Sequence, residues 1–269
     1  MSLAIDACAA QHQGDRKEQQ DRVAILPHAR KKGVALVVVA DGMGGHTGGA
    51  LAAEQVLHTA RTNLEHFSPA EESPRLMLES SMREAHTMIK ASRFINEKDP
   101  HSTVVMLLLQ PGKVTWSHCG DSRLYCFRGP QLRQRTTDHS YVEHLVANGK
   151  ITPQQALTHP NRNVLLTSLG GQDEPTFDFA EVDDIAGGDV FLLCSDGLWA
   201  YFDEAELGRI VAENSARQAC EILIDLARLR AKGSGDNVSL AIIKLLEVEE
   251  PKVKAKPPTG FSPRSTTYN

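Results

Sequence analysis

The sequence predicts an α+β fold in which antiparallel sheets stack on one another and helices cover their outer sides. Two observations indicate this class. Short apolar segments rich in β-branched residues follow one another with only tight turns between them, which favours antiparallel strands over a doubly wound parallel sheet. Segments with helical spacing of apolar residues lie before and after this run of strands. The 269 residues can bury a sizeable core without a metal or disulfides.

The first predicted strand is residues 33–40, which are apolar and valine-rich, as in a buried strand. It runs into the turn dipeptide Asp41-Gly42. Two helices are expected next because apolar residues recur at helical spacing, and the second ends before Pro100. The residues that define the apolar faces are Ala53, Val56, Leu57, Ala60 and Leu64, followed by Leu78, Met82, Ala85 and Ile89.

The remaining predicted strands are short and apolar. Residues 102–110, 113–118 and 123–127 are separated by tight turns, as in an antiparallel meander. Residues 189–194 and 237–245 form two later strands.

Two helices are predicted between these last two strands, because a capping-box pattern precedes each of them. Asp203 pairs with Glu206 in the first pattern, and Ser215 pairs with Gln218 in the second. Gly233 is expected to end the second helix.

Residues 140–174 read as an excursion from the sheets rather than as part of their core. They contain two short helical segments and a polar run, and the second segment begins at Thr152-Pro153. Residues 248–269 are rich in Lys, Pro, Ser and Thr, which predicts a disordered tail. We therefore expect one domain over residues 1–247.

Composition excludes several classes of function. A net charge of −5 and 5% aromatic residues are unsuited to nucleic-acid binding. The sequence has no apolar run long enough to span a membrane and no secretory signal pattern at its start. Five scattered cysteines without a Cys-x-x-Cys pair argue against a zinc site or a disulfide framework. A reducing cytoplasm is the expected compartment.

The most informative pattern is aspartate at strand ends, four times beside a glycine, with one further aspartate near the N-terminus. The residues are Asp41, Asp121, Asp196 and Asp236, together with Asp21. Singly, Asp-Gly and Gly-Asp are ordinary turn dipeptides, and a turn is the better interpretation. Together, carboxylates at strand ends can converge on one rim of a sheet, where they repel one another unless cations neutralise them. Mg²⁺ and Mn²⁺, which prefer oxygen ligands, meet that need.

Other catalytic motifs are missing from the sequence. It contains no P-loop, no Gly-x-Ser-x-Gly elbow and no His-Glu-x-x-His zinc motif. The glycine-rich segment after Asp41 precedes a helix, which on its own suggests phosphate binding, but it does not have Gly-x-Gly-x-x-Gly spacing.

The four glycine-associated aspartates lie in motifs that resemble those of the metal-dependent protein phosphatases of the 2C type. The motifs occur in the family's order and are DGMGG at 41–45, GDSR at 120–123, SDGLW at 195–199 and GDN at 235–237. The resemblance extends to about Leu246, and DGMGG looks like the bacterial branch. It implies a four-layer α/β/β/α sandwich with metals at one edge, and hydrolysis of phosphoserine and phosphothreonine in proteins.

The resemblance also implies a role for each matched residue in the metal core. Asp41 would bridge two Mn²⁺ or Mg²⁺ ions, and Gly42 would offer its carbonyl to one of them. Asp196 and Asp236 would complete the binuclear site. Asp121 would help to bind a third, weaker ion. Two ions of this kind lower the pKa of a bridging water, which then attacks phosphorus in line.

Two matches lie in the N-terminal segment. Asp21 corresponds to the last acid of the family's Arg-x-x-Asn-Glu-Asp segment and is expected among the metal ligands. Arg16 corresponds to the arginine that binds the substrate phosphate, for which its planar fork is suited. Asn237, which follows Asp236 as in the family, is expected to orient that site. The residues expected to carry the reaction are Arg16, Asp41, Asp196 and Asp236.

The sequence departs from the family pattern at two places. Gln19-Gln20 replaces Asn-Glu, so the site lacks one acidic group and its affinity for metal is expected to be weaker. Met43 occupies the position of a histidine that is often assigned as general acid in eukaryotic relatives. Methionine cannot donate a proton, so the leaving oxygen would take its proton from metal-bound water or another group. His46 is a candidate by proximity alone, and a solvent-facing turn residue is the better interpretation.

Three histidines and one tryptophan are weaker candidates for a role in the site. His118, His139 and His159 are candidates to line the cleft, although surface or hydrogen-bonded structural positions are favoured. Trp199 is expected to pack under the metal loop.

We expect a cytoplasmic, monomeric serine/threonine phosphatase whose substrates are phosphoproteins made by a serine/threonine kinase, without nucleic-acid or membrane partners. One alternative is a catalytically weak pseudo-phosphatase that only binds phosphoproteins, which Gln20 favours and the retained aspartates oppose. Another is a hydrolase of small phosphate esters, which the excursion at 140–174 opposes because it resembles a flap beside an open cleft.

Overall fold

The computed structural model of the chain describes residues 3–44, 47–96 and 99–248. His46 and the predicted tail from residue 249 onward lie outside these ranges. The strands are β1 (Leu3–His12), β2 (Arg22–Pro27), β3 (Ala35–Ala40), β4 (Gly42–Met43), β5 (His101–Ser102), β6 (Val104–Gln110), β7 (Lys113–Cys119), β8 (Arg123–Arg128), β9 (Gln131–Arg135), β10 (Asp178–Val182), β11 (Asp189–Cys194) and β12 (Val238–Glu247). The helices are α1 (Thr47–His66), α2 (Pro74–Asn96), α3 (Tyr141–Ala147), α4 (Pro153–Ala156), α5 (Asp196–Trp199), α6 (Glu204–Glu213) and α7 (Ala216–Ala231). Within the described ranges, no helix has the length and apolarity needed to cross a membrane.

Ten strands form two five-stranded antiparallel sheets. The first sheet has the order β1-β12-β11-β8-β9, and the second has the order β10-β7-β6-β3-β2. The short strands β4 and β5 pair separately beside the second sheet. The predicted antiparallel class is therefore confirmed.

The two sheets pack face to face, and helices cover both outer sides. Val37 and Val39 of the second sheet share one apolar cluster with Phe191 and Ile243 of the first. On the outer side of the second sheet, α1 and α2 pack in another cluster around Leu36, Val38 and Met106. On the outer side of the first sheet, α5, α6 and α7 bury a third cluster around Phe127, Leu192 and Ile242. This arrangement confirms the four-layer α/β/β/α sandwich.

The interior strands of both sheets agree with the prediction from sequence, whereas the edge strands were not predicted. The six interior strands, β3, β6, β7, β8, β11 and β12, were all predicted. The missed strands of these two sheets are their four edges, β1, β2, β9 and β10, and the two-residue strand β4 lies where a turn was predicted. Their residues are mostly half-buried or exposed, as in Leu3–His12 with its alternating burial, so they lack the continuous apolar run that marks an interior strand.

The predicted strand 102–110 is divided in the structure. Thr103 separates β5 from β6 because its N–H donates to the carbonyl of Asp41 (2.9 Å), while Ser102 pairs with Gly42. The strand is therefore broken where it meets the chain that leaves β3, which is the segment that carries Asp41.

The predicted helix starts are confirmed, with one correction. Ser215 and Gln218 form a complete capping box at α7, and Thr152 with Gln155 forms another at α4. At α6 the Asp203 side chain accepts from the N–H of Glu206 (2.7 Å), but the Glu206 carboxylate contacts the Arg230 guanidinium (2.5 and 2.7 Å). The Glu206 side chain therefore forms an ion pair with α7 instead of accepting from the backbone N–H of Asp203, as a complete capping box requires.

Candidate active site

Four of the five predicted aspartates line a single cavity of about 590 Å³ at one edge of the sandwich. Each lies beside the end of a strand: Asp41 follows β3, Asp121 lies between β7 and β8, Asp196 follows β11, and Asp236 precedes β12. We call this set, Asp41, Asp121, Asp196 and Asp236, the carboxylate rim. Arg16 and Gly42 line the same cavity. The structure thus brings together residues that are up to 220 positions apart in the chain.

Asp21 lies behind the carboxylate rim rather than on it. It is buried, is not among the residues that line the cavity, and accepts a hydrogen bond from the Ser195 hydroxyl (2.8 Å). The same hydroxyl accepts from the N–H of Ser239 (3.1 Å). Asp21 therefore contacts the residue that immediately precedes Asp196, and through it the start of β12.

The electrostatics of these acids are dominated by their removal from water and by their mutual repulsion. Burial, followed by the charge of Asp236, raises the pKa of Asp196 to about 6. Burial, followed by the charges of Asp196 and Asp138, raises the pKa of Asp121 to about 8. The pKa of Asp41 is raised well above its usual range, first by burial and then by the surrounding carboxylates. Burial, opposed by the hydrogen bond from Ser195, raises the pKa of Asp21 to about 7.

Gly42 permits a close approach between the chain leaving β3 and helix α1. A Cβ atom at residue 42 would lie 2.0 Å from the carbonyl oxygen of Gly49, which is an impossible contact. A Cβ atom at Gly49 would in turn lie 2.5 Å from the Gly42 carbonyl oxygen. Two glycines are therefore required where α1 crosses β4, and this packing fixes the backbone beside Asp41.

The N-terminal segment is attached to the loop of Asp236 by a set of hydrogen bonds that centre on Asn237. The Asn237 side chain accepts from the N–H of Gln20 (2.7 Å) and donates to the carbonyls of Gln13 (2.7 Å) and Glu18 (3.0 Å). Asp15 also accepts from the N–H of Gly235 (2.7 Å). These bonds place Arg16 and Gln20 at the cavity. The sequence contains no signal for Asp15, because its partner is 220 residues away.

Arg16 reaches the carboxylate rim directly. Its guanidinium makes a charge-assisted contact with the Asp236 carboxylate. This hydrogen bond, followed by the charges of Asp236, Asp196 and Asp41, raises the pKa of Arg16 above its usual range. A positive planar group thus lies beside the carboxylates while most of its side chain stays accessible to solvent.

The excursion at 140–174 supplies part of the cavity wall. Asn163 and Leu165 line the cavity, and an isolated bridge between Ser140 and Leu165 joins the beginning of the excursion to its later part. Met43 also lines the cavity, and its thioether cannot donate a proton.

The donor set suits divalent cations that prefer oxygen ligands. Five carboxylates, those of the carboxylate rim and of Glu18, line one cavity together with the backbone at Gly42. Three of the rim residues have pKa values raised by burial and by neighbouring carboxylates. Bound cations would neutralise these carboxylates, and the other positive partners at the described cavity are protons and the side chains of Arg16 and Lys17. With no thiol or imidazole among the lining residues that the structure describes, the site favours Mg²⁺ or Mn²⁺ over softer metals.

Comparisons with known proteins agree with this fold and site. The profile of the family described as protein phosphatase 2C matches residues 8–220. The protein phosphatase PhpP of Streptococcus pneumoniae is 29% identical over 238 residues, which is 86% of this chain and 94% of that protein. The structure of the S. agalactiae serine/threonine phosphatase superposes with a TM-score of 0.81 at 25% identity, covering 91% of this chain and all of the other. The catalytic domain of the serine/threonine phosphatase PstP, solved with two manganese ions, has a TM-score of 0.77 at 28% identity over 91% of this chain and all of that domain.

The chain belongs to the protein phosphatase 2C family. The predicted family is therefore confirmed.

The raised pKa values give the stability of the metal-free protein a specific pH dependence. Asp196, Asp21 and Asp121 bind protons up to about pH 6, 7 and 8 in the folded state, but only to about pH 4 when unfolded. The folded state holds more protons over this range, so its free energy of unfolding falls as the pH rises from about 5 to 8. We expect the Tm of chelator-treated protein to fall accordingly, as measured by calorimetry.

Two controls accompany this measurement. Asp121→Asn should flatten the slope, whereas Asp225→Asn on the exposed face of α7 should leave it unchanged. A Tm that rises steadily from pH 5 to pH 8 in the metal-free protein would contradict the pKa assignments.

Proposed function

We propose that this protein is a metal-dependent phosphatase that hydrolyses phosphoserine and phosphothreonine in other proteins. The observation that supports it most is the carboxylate rim with Arg16 beside it, because it combines anionic ligands for cations with a cationic group for phosphate. When bound, two divalent ions would supply a water of lowered pKa and would neutralise charge on the phosphoryl oxygens.

The roles of the rim residues follow from their positions. Asp41, Asp196 and Asp236, with the carbonyl of Gly42, are proposed to bind the two ions, and Asp121 to help bind a third. Asp21 is assigned a different role from the one the sequence suggests. Since it is buried behind the rim and bonded to Ser195, we propose that it orients the segment of Asp196 instead of binding a metal directly.

Arg16 is proposed to bind the phosphate of the substrate. Its guanidinium offers several N–H donors in one plane, which matches two phosphoryl oxygens. Met43 lines the cavity but has no proton to give, so solvent is the proposed source of the proton for the leaving oxygen. The retained acids favour a phosphatase over a pseudo-phosphatase, because every glycine-associated aspartate of the motifs lines the cavity.

The proposed partners are phosphorylated proteins, the products of a serine/threonine kinase, acted on by a monomer in the cytoplasm. The five cysteines are free thiols, and a reducing compartment keeps such thiols reduced. Mn²⁺ and Mg²⁺ are both compatible with the donor set.

The proposal is tested by phosphate release from a phosphothreonine peptide while Mn²⁺ or Mg²⁺ is titrated in. Turnover that requires the ion and is lost with chelator is expected, and a small aryl phosphate and a phosphotyrosine peptide serve as comparison substrates. Phosphopeptide binding without turnover at any metal concentration would instead indicate a pseudo-phosphatase. Faster turnover of the small ester than of the peptide would indicate a small-ester hydrolase.

Neutralising one rim carboxylate should remove activity while the fold persists. We expect Asp196→Asn or Asp236→Asn to lower kcat by roughly two orders of magnitude or more, since each replaces a charged ligand by a neutral one. Circular dichroism should remain that of the native fold, because the core is formed by three apolar clusters away from the cavity. Asp225→Asn is the matched control on an exposed helix face. Normal turnover of both rim variants under limiting metal would exclude the binuclear assignment.

Replacing Arg16 should affect substrate more than metal. We expect Arg16→Ala to raise KM and lower kcat/KM, with Arg16→Lys recovering only part of the loss because an ammonium cannot make a two-pronged contact. The affinity for Mn²⁺, measured by calorimetry, should stay equal or increase, since a positive group beside Asp236 opposes a cation. Weaker Mn²⁺ binding in Arg16→Ala would show that Arg16 supports the metal site rather than the substrate.

Restoring the missing acid at residue 20 should strengthen metal binding. Gln20 lines the cavity, so Gln20→Glu adds a negative charge where the family pattern has one. We expect the Kd for Mn²⁺ to decrease by roughly 10-fold, in line with the usual effect of a supporting group at a metal site. Gln134→Glu on exposed β9 adds the same charge outside the cavity and should leave the Kd unchanged. An equal change in both variants would assign the effect to net charge alone.

A further inference from the structure

The short turn at Gly120–Asp121 is bonded to side chains from two other segments of the chain. We propose that His139 and Trp199 are positioning residues, which fix this turn so that the carboxylate of Asp121 points into the cavity. The proposal rests on the proposed function in one respect, since Asp121 is assigned there to the third metal ion. Neither residue lines the cavity, so neither is placed to contact the substrate.

His139 bonds to both polar groups of the Gly120 backbone. The backbone N–H of His139 donates to the Gly120 carbonyl (2.9 Å), and the ring Nδ1 of His139 accepts from the Gly120 N–H (3.3 Å). Gly120 has φ of +100°, a conformation that favours glycine, and a Cβ there would lie 2.7 Å from Cγ2 of Thr103. The turn therefore has a specific backbone geometry that one residue holds through two hydrogen bonds.

The ring of His139 is itself held in orientation. It stacks on His118 with centroids 4.5 Å apart, and the Nε2–H of His118 donates to the carbonyl of Thr137 (2.8 Å). Because Nδ1 of His139 accepts from Gly120, the neutral ring carries its hydrogen on Nε2, which lies 3.4 Å from the Asp178 carboxylate.

This hydrogen-bond pattern favours positioning over metal binding at the same cluster. Candidate ligand atoms of His118, His139 and Asp178 lie within 4.8 Å of one another. A histidine that binds a metal through one nitrogen normally donates a hydrogen bond from the other. The other nitrogen of His139 accepts one instead, and the two rings are stacked rather than converging on one point.

Trp199 bonds to the other residue of the turn. Its indole N–H donates to the carbonyl of Asp121 (2.9 Å), and the Arg123 guanidinium lies 3.6 Å above its ring. Arg123 in turn makes two hydrogen bonds to the buried Asp138 (2.8 and 2.7 Å), which adjoins His139. The peptide that carries Asp121 is thus bonded on one side to residue 139 and on the other to residue 199.

Three variants separate positioning from general stability. His139→Leu removes the acceptor at similar volume, whereas His139→Asn keeps an acceptor at Oδ1, close to the former Nδ1. Trp199→Phe keeps a ring beneath Arg123 but removes the donor to Asp121. We expect His139→Leu and Trp199→Phe to weaken the weakest Mn²⁺-binding step in calorimetry by roughly 10-fold, with the tighter steps unchanged. His139→Asn should retain most of the wild-type affinity.

A second measurement is made on the metal-free protein and does not depend on phosphatase activity. Hydrogen exchange of the amides at 119–123 in chelator-treated protein should accelerate by roughly 10-fold in His139→Leu and Trp199→Phe but not in His139→Asn. Unchanged exchange in the first two variants would overturn the proposal even if the protein proves to be a phosphatase. Accelerated exchange would support it even if no phosphatase activity is found.

A double-mutant cycle tests whether His139 affects Mn²⁺ affinity by positioning Asp121. In an Asp121→Asn background, His139→Leu should cause no further loss of Mn²⁺ affinity, because the carboxylate that it positions is already absent. Additive losses, or equal weakening of every binding step, would show that His139 only stabilises the fold and would overturn the assignment.

Discussion

Repulsion among carboxylates in one partly buried cavity is the constraint on which the site depends. Two unit charges about 4 Å apart repel by roughly 4 kcal/mol at an effective dielectric constant of about 20. The protein brings five carboxylates to one cavity, those of the carboxylate rim and of Glu18, with Asp21 behind them. The pKa values of Asp41, Asp121 and Asp196 are raised first by burial and then by neighbouring carboxylates. Such a cluster must be paired with cations or protons, and the surrounding fold must hold it together in their absence.

The fold meets this requirement by attaching each carboxylate to a rigid neighbour. Thr103 and Ser102 bond to the backbone carbonyl of Asp41. Asp196 begins helix α5 one residue after the end of β11. Asp236 lies in a loop that Asn237 ties to the N-terminal segment. The backbone is thus fixed by strands and by hydrogen bonds to neutral groups, so the charges stay together although they repel. Such preorganisation leaves little reorganisation for the arrival of a cation.

The sequence predicted the interior of this structure better than its periphery, for a physical reason. Interior strands such as β3 and β11 are buried on both faces and therefore carry continuous apolar runs. The edge strand β1 alternates between half-buried and exposed residues, including Asp6, and this weaker pattern gave no prediction of a strand.

Aspartates at strand ends were recognisable because adjacent glycines and strands mark them locally. The bonds from Asp15 and Asn237 join segments more than 200 residues apart, and no local pattern encodes them. Asp21 was expected among the metal ligands and lies behind the residues that line the cavity, since the position of a residue along the chain does not specify how deeply its side chain is buried.

The charge of the side chain at residue 20 affects metal binding and the stability of the metal-free protein in opposite directions. An additional carboxylate would strengthen attraction for divalent cations, but it would also add to the repulsion that the metal-free fold must withstand. The backbone N–H of Gln20 donates to Asn237, so the residue already contributes to the attachment of the N-terminal segment through a bond that is independent of its side chain. The position can therefore change from acid to amide without loss of that attachment. We therefore expect the neutral side chain at residue 20 to make the metal-free protein more stable and to weaken binding of the ions.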